Sequence, residues 1–313
     1  MLGTAAALTE QWRSEGVGGT GLLADGPRVY AYGGGAQALE ASTGRALWDK
    51  VFDNWRQHVR GAFVDGDKLR LHVRIADSWT QEYDAATGAF GGGGIGDGIG
   101  GVVAIRGSRE LRTAGGTDLV TAQLVDDLKL VDRPTGTVLW EAKTAVTSDW
   151  SPTRYTLGTQ RIYGTGPGLL ATTPGDGSLG RAVRAYPVEG PARGCGPAES
   201  PTWACPVWVT LLDRDPVAAP VLSPDEASVY VVSTTGRVYA LDAATGATRW
   251  TADLGAYPRG EPALAGGQLY VATTDGRLLA FDTDACAAGP SPCAPTWTAN
   301  AGAGPLAGQP AVA

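Results

Sequence analysis

A five-residue motif that recurs along the chain constrains its fold more than any other feature. The best copy, Asp242-Ala243-Ala244-Thr245-Gly246, is followed four residues later by Trp250. An Asp side chain can cap the backbone N–H groups at the start of a turn, and Gly supplies the positive φ that the end of the turn needs. Self-similarity of this kind indicates a tandem-repeat fold. Related copies begin at Glu40, Asp84 and Asp132.

The segments around each motif have the length and composition of short strands. Residues 228–232 and 237–241 are rich in Val, Tyr, Ala and Leu, and a Thr-Gly turn separates them. In the next unit, residues 261–265 supply an additional first strand. With 46 Gly and 20 Pro among 313 residues, turns should be frequent and long helices rare. Four short antiparallel strands per unit are typical of a β-propeller blade.

Aromatic residues recur after the motif and mark successive blades. Their spacing fits blades of about 40–45 residues, with insertions in the third and fourth. A large side chain at a repeated strand position is interpreted as packing between blades. We assign these anchors to Trp12, Trp48, Phe90, Trp140, Trp208, Trp250 and Trp297.

The frame Leu-Asp-x-x-Thr-Gly-x-x-x-Trp, preceded by a Gly-x-hydrophobic-Tyr-Ala strand, resembles the PQQ-like propeller repeat. That repeat occurs in quinoprotein dehydrogenases, in outer-membrane assembly lipoproteins and in many exported actinobacterial proteins. The resemblance covers nearly the whole chain, and we expect the non-enzymatic exported actinobacterial type. It is informative about the fold and says little about function.

The repeat predicts an all-β fold, a single β-propeller domain over residues 1–313. Six full four-stranded blades are expected, plus a partial seventh. Residues 9–13 resemble the last strand of an extra blade, and residues 305–313 resemble a first strand. An open propeller would leave unpaired strand edges, which proteins avoid. We therefore expect a fragment of a seven- or eight-bladed propeller, incomplete at one or both ends.

The four cysteines form two close pairs in sequence. Four cysteines allow three pairing schemes. Both pairs lie where other blades have the Asp-x-x-Thr-Gly turn, so the repeat alignment predicts the scheme with two local disulfides. Zinc is the alternative, but the spacings exceed the Cys-x₂₋₄-Cys pattern of zinc sites. Disulfides indicate an oxidising, extracytoplasmic compartment, although no signal or anchor segment is recognisable in the chain. The expected pairs are Cys195 with Cys205 and Cys286 with Cys293.

Motifs for catalysis are weak in this sequence. Gly96-Asp97-Gly98-Ile99-Gly100-Gly101 matches G-x-G-x-x-G, but a strand-like segment follows where a dinucleotide site needs a helix. We interpret it as an inter-blade loop. With two histidines and no G-x-S-x-G sequence, no serine triad can be assembled.

The resemblance to quinoprotein dehydrogenases implies a specific site. Those enzymes hold the quinone with a vicinal Cys-Cys disulfide and a stacking Trp, beside a Ca²⁺ bound by Glu, Asn and Asp. This chain has no adjacent cysteines, and its only asparagines are Asn54 and Asn300. No enzyme residue can be carried over, so we expect no catalytic, cofactor or metal residues, and neither PQQ nor Ca²⁺. The alternative is a quinoprotein-like oxidoreductase or another catalytic propeller.

A candidate binding face is formed by aromatic residues outside the anchor positions. Three of them follow an anchor at similar spacing, which places them in inter-blade loops on one face. Such rings beside arginines are what interface hot spots use, although loops can also tuck their own aromatics inward. The face comprises Trp55, Trp79, Trp150 and Tyr257, with Arg56 and Arg259.

Composition narrows the class of partner. The formal net charge is −7 and no Lys/Arg-rich run occurs, which argues against nucleic acid. No stretch approaches the roughly 18 apolar residues of a membrane span, so no membrane insertion is expected. The sequence therefore predicts a non-catalytic extracytoplasmic binding, scaffold or sensor module. Its partner would be a protein, a cell-wall glycan or a small ligand.

Overall fold

A computed structural model describes residues 19–52, 58–74, 78–93, 101–117, 124–146, 154–166, 181–195, 203–289, 291–300 and 310. Within these ranges the chain forms strands β1 to β24 and one helix, α1. Blade 1 consists of β1 (Gly19–Asp25), β2 (Arg28–Gly33), β3 (Gly35–Glu40) and β4 (Ala46–Val51). Blade 2 consists of β5 (His58–Asp65), β6 (Lys68–Arg74), β7 (Ser78–Asp84) and β8 (Phe90–Gly92). Blade 3 consists of β9 (Gly101–Arg106), β10 (Arg109–Thr117), β11 (Leu124–Asp132) and β12 (Thr137–Val146).

The second half repeats the same plan. Blade 4 consists of β13 (Arg154–Leu157), β14 (Arg161–Gly166), β15 (Ala182–Pro187) and β16 (Trp208–Leu211). Blade 5 consists of β17 (Val221–Leu222), β18 (Ser228–Val232), β19 (Arg237–Asp242) and β20 (Thr248–Asp253). Blade 6 consists of β21 (Pro258–Ala265), β22 (Gln268–Thr273), β23 (Arg277–Asp282) and β24 (Trp297–Asn300), with α1 (Thr283–Ala288) between its last two strands.

The six blades form a propeller ring, which confirms the predicted fold. In every blade the four strands are antiparallel neighbours in chain order. First strands contact one another from β1 through β5 and β9 to β13, and from β17 to β21. Strand β1 also contacts β21, so blades 1 and 6 are neighbours and the first strands surround the centre. The predicted partial seventh blade lies outside the described residues, apart from Pro310.

The recurring motif forms the turn between the third and fourth strands. In blade 5, Asp242 Oδ1 accepts hydrogen bonds from the backbone N–H of Ala244 at 3.0 Å and of Thr245 at 2.9 Å. Gly246 closes the turn with φ near 75°, a conformation that favours glycine. The side chain of Arg249 also donates to Asp242, and it is the largest effect lowering the pKa of that carboxyl to about 2. Asp84 holds the equivalent turn of blade 2 in the same way.

In each blade, three residues paired across the second, third and fourth strands form a row, and the third residue of the row occupies the anchor position. In blade 5, Tyr230 pairs with Ala240 and Ala240 pairs with Trp250. The anchor then packs on the next blade: the indole N–H of Trp208 donates to the carbonyl of Ala243 at 3.1 Å. The same Tyr–Ala–Trp row is present as Tyr30–Ala38–Trp48, Tyr163–Ala185–Trp208 and Tyr270–Ala280–Trp297.

The predicted packing between blades is confirmed for Trp48, Trp140, Trp208 and Trp250, whereas Trp12 lies outside the described residues. The indole of Trp48 donates to Ala85 at 3.2 Å, and that of Trp140 donates to Val188 at 2.8 Å. Four hydrophobic clusters of buried residues lie at the interfaces of blades 1 with 2, 3 with 4, 4 with 5, and 5 with 6. Packing across neighbouring blades therefore holds most of the described ring together.

Phe90 is not the anchor of blade 2, so that assignment was wrong. Tyr83 pairs with Phe90, and Glu82 pairs with Gly92, which places Gly92 in the anchor position. The Phe90 side chain is 60% exposed, and its ring contacts Tyr83 at a centroid distance of 5.5 Å. The anchor lies four residues after the turn glycine, and counting from Gly88 gives Gly92.

Candidate functional site

The predicted binding face is the face where loops between blades meet the loops between second and third strands. Tyr257 lies in the loop from β20 to β21, and its carbonyl accepts a hydrogen bond from the backbone N–H of Thr274 at 2.8 Å. Thr274 belongs to the loop between β22 and β23. The equivalent contact in blade 5 joins the backbone N–H of Thr234 to the carbonyl of Asp215 at 2.8 Å. These backbone bonds give the face a fixed framework.

Tyr257 and Arg259 are the part of this face whose side chains the structure describes. The Tyr257 side chain is 69% exposed, so its ring does not tuck back onto the sheet. Arg259 is exposed at the start of β21, where its backbone pairs with Ala272. Trp79 lies in β7 opposite Val73, but its side chain is outside the described set. The remaining predicted members, Trp55, Arg56 and Trp150, lie outside the described residues.

A half-buried carboxylate lies close to this face and was missed by sequence reasoning. Glu261 is in β21, where the pairing with β22 is irregular between Arg259 and Ala263. Burial is the largest effect on its carboxyl and raises the pKa, while the nearby charge of Arg154 and a hydrogen bond from the Ala219 backbone lower it. The only sequence signal was a glutamate at the start of an otherwise apolar strand.

Arg154 ties this carboxylate to the neighbouring blades. Its guanidinium donates to the carbonyl of Val217, on the segment that leads into β17. Thr165 of blade 4 donates to the carbonyl of Ala218 at 2.8 Å on the same segment. Because first strands surround the centre, Glu261 and Arg154 form a polar link between blades 4, 5 and 6 near the middle of the propeller ring. This arrangement supports the framework beneath Tyr257 and Arg259.

Both predicted disulfides are present, and the zinc alternative is wrong because all four sulfurs are bonded in pairs. Cys195 bonds Cys205, and Cys286 bonds Cys293. Each stapled loop reaches the outer strand of the preceding blade. Ala204 donates its backbone N–H to the carbonyl of Lys143 in β12 at 2.9 Å. The loop aromatic Trp203 is fully buried there, so it has a structural role.

The residues do not fit the quinoprotein site. Each cysteine is bonded to a partner 10 or 7 positions away in sequence, so the vicinal pair that holds a quinone in those enzymes is absent. Within the described ranges, no group of three or more His, Cys, Asp or Glu side chains is placed to hold a metal ion. Asn300 lies in β24, and Asn54 is outside the described residues. That neither PQQ nor Ca²⁺ binds stays a prediction.

A family comparison decides the affiliation of the chain. The model for the outer membrane protein assembly factor BamB matches residues 124–309. The chain belongs to this family. Its resemblance to PQQ-like propellers is thereby confirmed at the level of the family. No curated protein matches the chain. No helix in the described part of this BamB-family chain is long and apolar enough to cross a membrane.

Solved structures with very different roles share the fold. A chain of the Mitotic Checkpoint Complex has a TM-score of 0.65 at 11% identity, covering 99% of this chain and 93% of that one. A europium-containing methanol dehydrogenase has a TM-score of 0.50 at 12% identity, covering 92% and 79%. BamB from Moraxella catarrhalis has a TM-score of 0.49 at 17% identity, covering 90% and 74%. At these identities the first two similarities show the fold alone.

Proposed function

We propose that this chain is a non-catalytic extracytoplasmic propeller that binds another protein and acts as a scaffold or sensor module. The observation that carries the proposal is the exposed Tyr257 beside Arg259 on a face whose backbone is fixed by inter-loop hydrogen bonds. Membership of a family named after an assembly factor supports a protein partner over a substrate.

The chemistry of these two side chains suits a protein interface. Tyrosine and arginine are enriched among hot-spot residues because each combines a large contact area with hydrogen-bond donors. Loops on a rigid scaffold can present such groups with little ordering cost on binding. The segment carrying Tyr257 and Arg259 is held to blade 6 through Thr274 and Ala272. A partner would therefore meet a preformed surface.

The cysteines support an extracytoplasmic location. Two local disulfides, Cys195–Cys205 and Cys286–Cys293, are formed and leave no described thiol free. Such bonds persist in oxidising compartments and are rare in the cytosol. The family description refers to the outer membrane, which is in line with this location.

Crosslinking in cells tests the protein-binding proposal. A photoreactive phenylalanine analogue at position 257 should give a discrete protein adduct in the native host. The matched control is position 138 in β12, where Val138 is exposed but lies on an outer strand. Tyr257→Ala and Arg259→Ala should each weaken binding of the captured partner by about 1–4 kcal/mol if they are hot spots. Trp55→Ala and Trp150→Ala should behave similarly.

Melting temperature separates a binding role from a folding role. The four alanine variants should melt close to the parent, whereas Trp250→Ala opens a cavity in the core and should melt much lower. Equal adducts at positions 257 and 138, or partner affinity unchanged in all four variants, would rule out this face as the binding surface.

A further inference from the structure

Blade 2 departs from the packing row of the other blades. Where four blades have Tyr–Ala–Trp, blade 2 has Arg70 paired with Glu82, and Glu82 paired with Gly92. Blade 3 keeps an apolar version, Leu111–Leu130–Trp140. The row faces the following blade, so in blade 2 two charged side chains and a glycine replace an aromatic contact surface toward blade 3.

Blade 3 also departs from the repeat pattern, on the surface that faces blade 2. Glu110 in β10 takes the register position that Leu69 holds in blade 2 and Val229 holds in blade 5, both fully buried. Arg112 likewise takes the position of Leu71, another fully buried side chain. Substitutions on both sides of a single interface break the repeat pattern together. Such coordinated departures from a packing rule are expected at functional sites.

Ion pairs tie the opposing charges together. Arg70 contacts the carboxylates of Asp65 at 3.2 Å, Glu82 at 3.0 Å and Glu110 at 3.4 Å. Arg112 donates to Glu110, whose side chain is only 5% exposed. Arg70 Nε is buried and has no hydrogen-bond partner among the described residues. Desolvated charges cost free energy unless they are fully paired. This interface should therefore be less stable than one with the apolar side chains that other blades have at the same positions.

A pocket of about 510 Å³ lies at this interface, within the size range of ligand sites. Three arginines line it against two glutamates, and the carboxylate of Asp65 also pairs with Arg70 and Arg133, so the charges of this cluster balance. Because each guanidinium has five N–H donors, a ligand carboxylate would share these arginines with the carboxylates of the protein. Arg133 adds a cation at the turn position where blades 2 and 5 have the small residues Ala85 and Ala243. The charged lining consists of Arg70, Arg112, Arg133, Glu82 and Glu110.

The floor of the pocket is shaped to receive an aromatic ring. At the turn glycines Gly88 and Gly246, an added Cβ would meet the indoles of Trp48 and Trp208 at 2.6 Å and 2.5 Å, so an indole lies directly on each glycine. At the equivalent Gly136, no atom of the described residues lies within 4 Å of that point. Gly136 lines the pocket, and its own blade interface supplies no tryptophan because Gly92 occupies the anchor position.

We propose that this pocket binds a planar aromatic carboxylate of about the size of tryptophan. The aromatic ring lies over Gly136 and Pro134, as the anchor indoles lie over Gly88 and Gly246. The carboxylate pairs with Arg112 and Arg133, since guanidinium groups match carboxylate geometry and stack on aromatic rings. The site lies on the face of the turns between third and fourth strands, opposite Tyr257, so it is independent of the protein-binding proposal.

Three small probes separate the contributions of ring and charge. Indole-3-acetate combines both groups, indole has only the ring, and acetate has only the carboxylate. Titrations followed by protein NMR should show saturable binding of indole-3-acetate, about tenfold or more tighter than either fragment, because each charge-assisted contact adds to the ring contact. A peptide that ends in tryptophan is then compared with the same peptide carrying a C-terminal amide. Binding of the peptide acid but not of the amide would identify a peptide C-terminus as the source of the ligand, and binding of neither would identify a free aromatic acid.

Variants locate the binding to this pocket. Arg133→Ala should weaken indole-3-acetate binding about tenfold or more, while Arg249→Ala, an exposed arginine beside the corresponding turn of blade 5, should leave it unchanged. Ser108→Trp, at an exposed rim position, should block binding without removing an ion pair, and it serves as the test if Arg133→Ala fails to fold. No saturable binding of indole-3-acetate, or binding unaffected by Ser108→Trp, would overturn the proposal.

Discussion

At the scale of single residues, the charges of this protein divide into those that fix turns and those that are buried between blades. Asp242 accepts backbone hydrogen bonds in its turn, and its ionised form is stabilised by Arg249, as its lowered pKa shows. Glu261 has the opposite environment, since burial disfavours its ionised form and raises its pKa. The two carboxylates therefore respond to pH in opposite ways.

The raised pKa of Glu261 predicts how stability changes with pH. In the unfolded chain this carboxyl ionises near its ordinary value of 4.5, whereas in the folded protein it holds its proton to higher pH. The folded state then binds more protons, so this group's contribution to stability falls as pH rises above about 4.5. Glu261→Gln removes that fall. Relative to the parent, the variant should gain unfolding free energy between pH 4 and pH 7.

Urea unfolding at several pH values measures this difference. Glu189→Gln, at an exposed position after β15, provides the matched control for the loss of one carboxyl group. If Glu261→Gln lost stability relative to the parent as pH rose, the ionised carboxylate would be favoured by its pairing with Arg154, and the assigned balance of burial and charge would be wrong.

At the scale of elements, the two disulfide loops protect strand edges. An outer strand presents unpaired backbone groups that could join another chain. The loop closed by Cys286 and Cys293 covers β20, where Cys293 donates its backbone N–H to the carbonyl of Thr251 at 2.6 Å. The loop closed by Cys195 and Cys205 covers β12 in the same way. Each disulfide thus closes a loop of one blade, and that loop contacts the preceding blade.

Removing one disulfide should therefore loosen the preceding blade. The double variant Cys286→Ala, Cys293→Ala should lose about 2–3 kcal/mol of unfolding free energy in the chain-entropy account of short loops. Hydrogen exchange should increase in β20 and remain unchanged in β12. The double variant Cys195→Ala, Cys205→Ala should show the reverse pattern, with faster exchange in β12. Exchange that increases only inside the opened loop would contradict the inferred contact between blades.

At the scale of the whole molecule, local sequence patterns predict the blades well, and contacts between blades poorly. The turns and disulfides could be predicted because their determinants lie within about ten residues of one another, as in Asp242 with Thr245 or Cys195 with Cys205. The pocket could not, because it depends on which side chains of blades 2 and 3 face each other. Taking Phe90 as the anchor hid it, although counting four residues from Gly88 identifies Gly92.

The predicted binding face shows the same division. Sequence spacing placed Tyr257 in an inter-blade loop, and the structure shows the ring exposed there. The same spacing gave no sign of Glu261 and Arg154, because their approach depends on how three blades meet around the centre. The proposed binding residues lie in loops that differ in length between blades, and the contacts of such loops cannot be inferred from a repeat that describes only the strands.

The most direct test of whether this propeller is a binding module or a quinoprotein enzyme is a titration of the purified protein with PQQ and Ca²⁺. The titration is followed by absorbance and by dye-linked alcohol oxidation. The chain has no vicinal cysteines, and its described carboxylates form no cluster able to hold a metal ion. We predict that quinone absorbance will not change on adding protein and that no alcohol-dependent dye reduction will occur. A saturable, Ca²⁺-dependent absorbance change accompanied by alcohol oxidation would contradict the account and establish a quinoprotein enzyme.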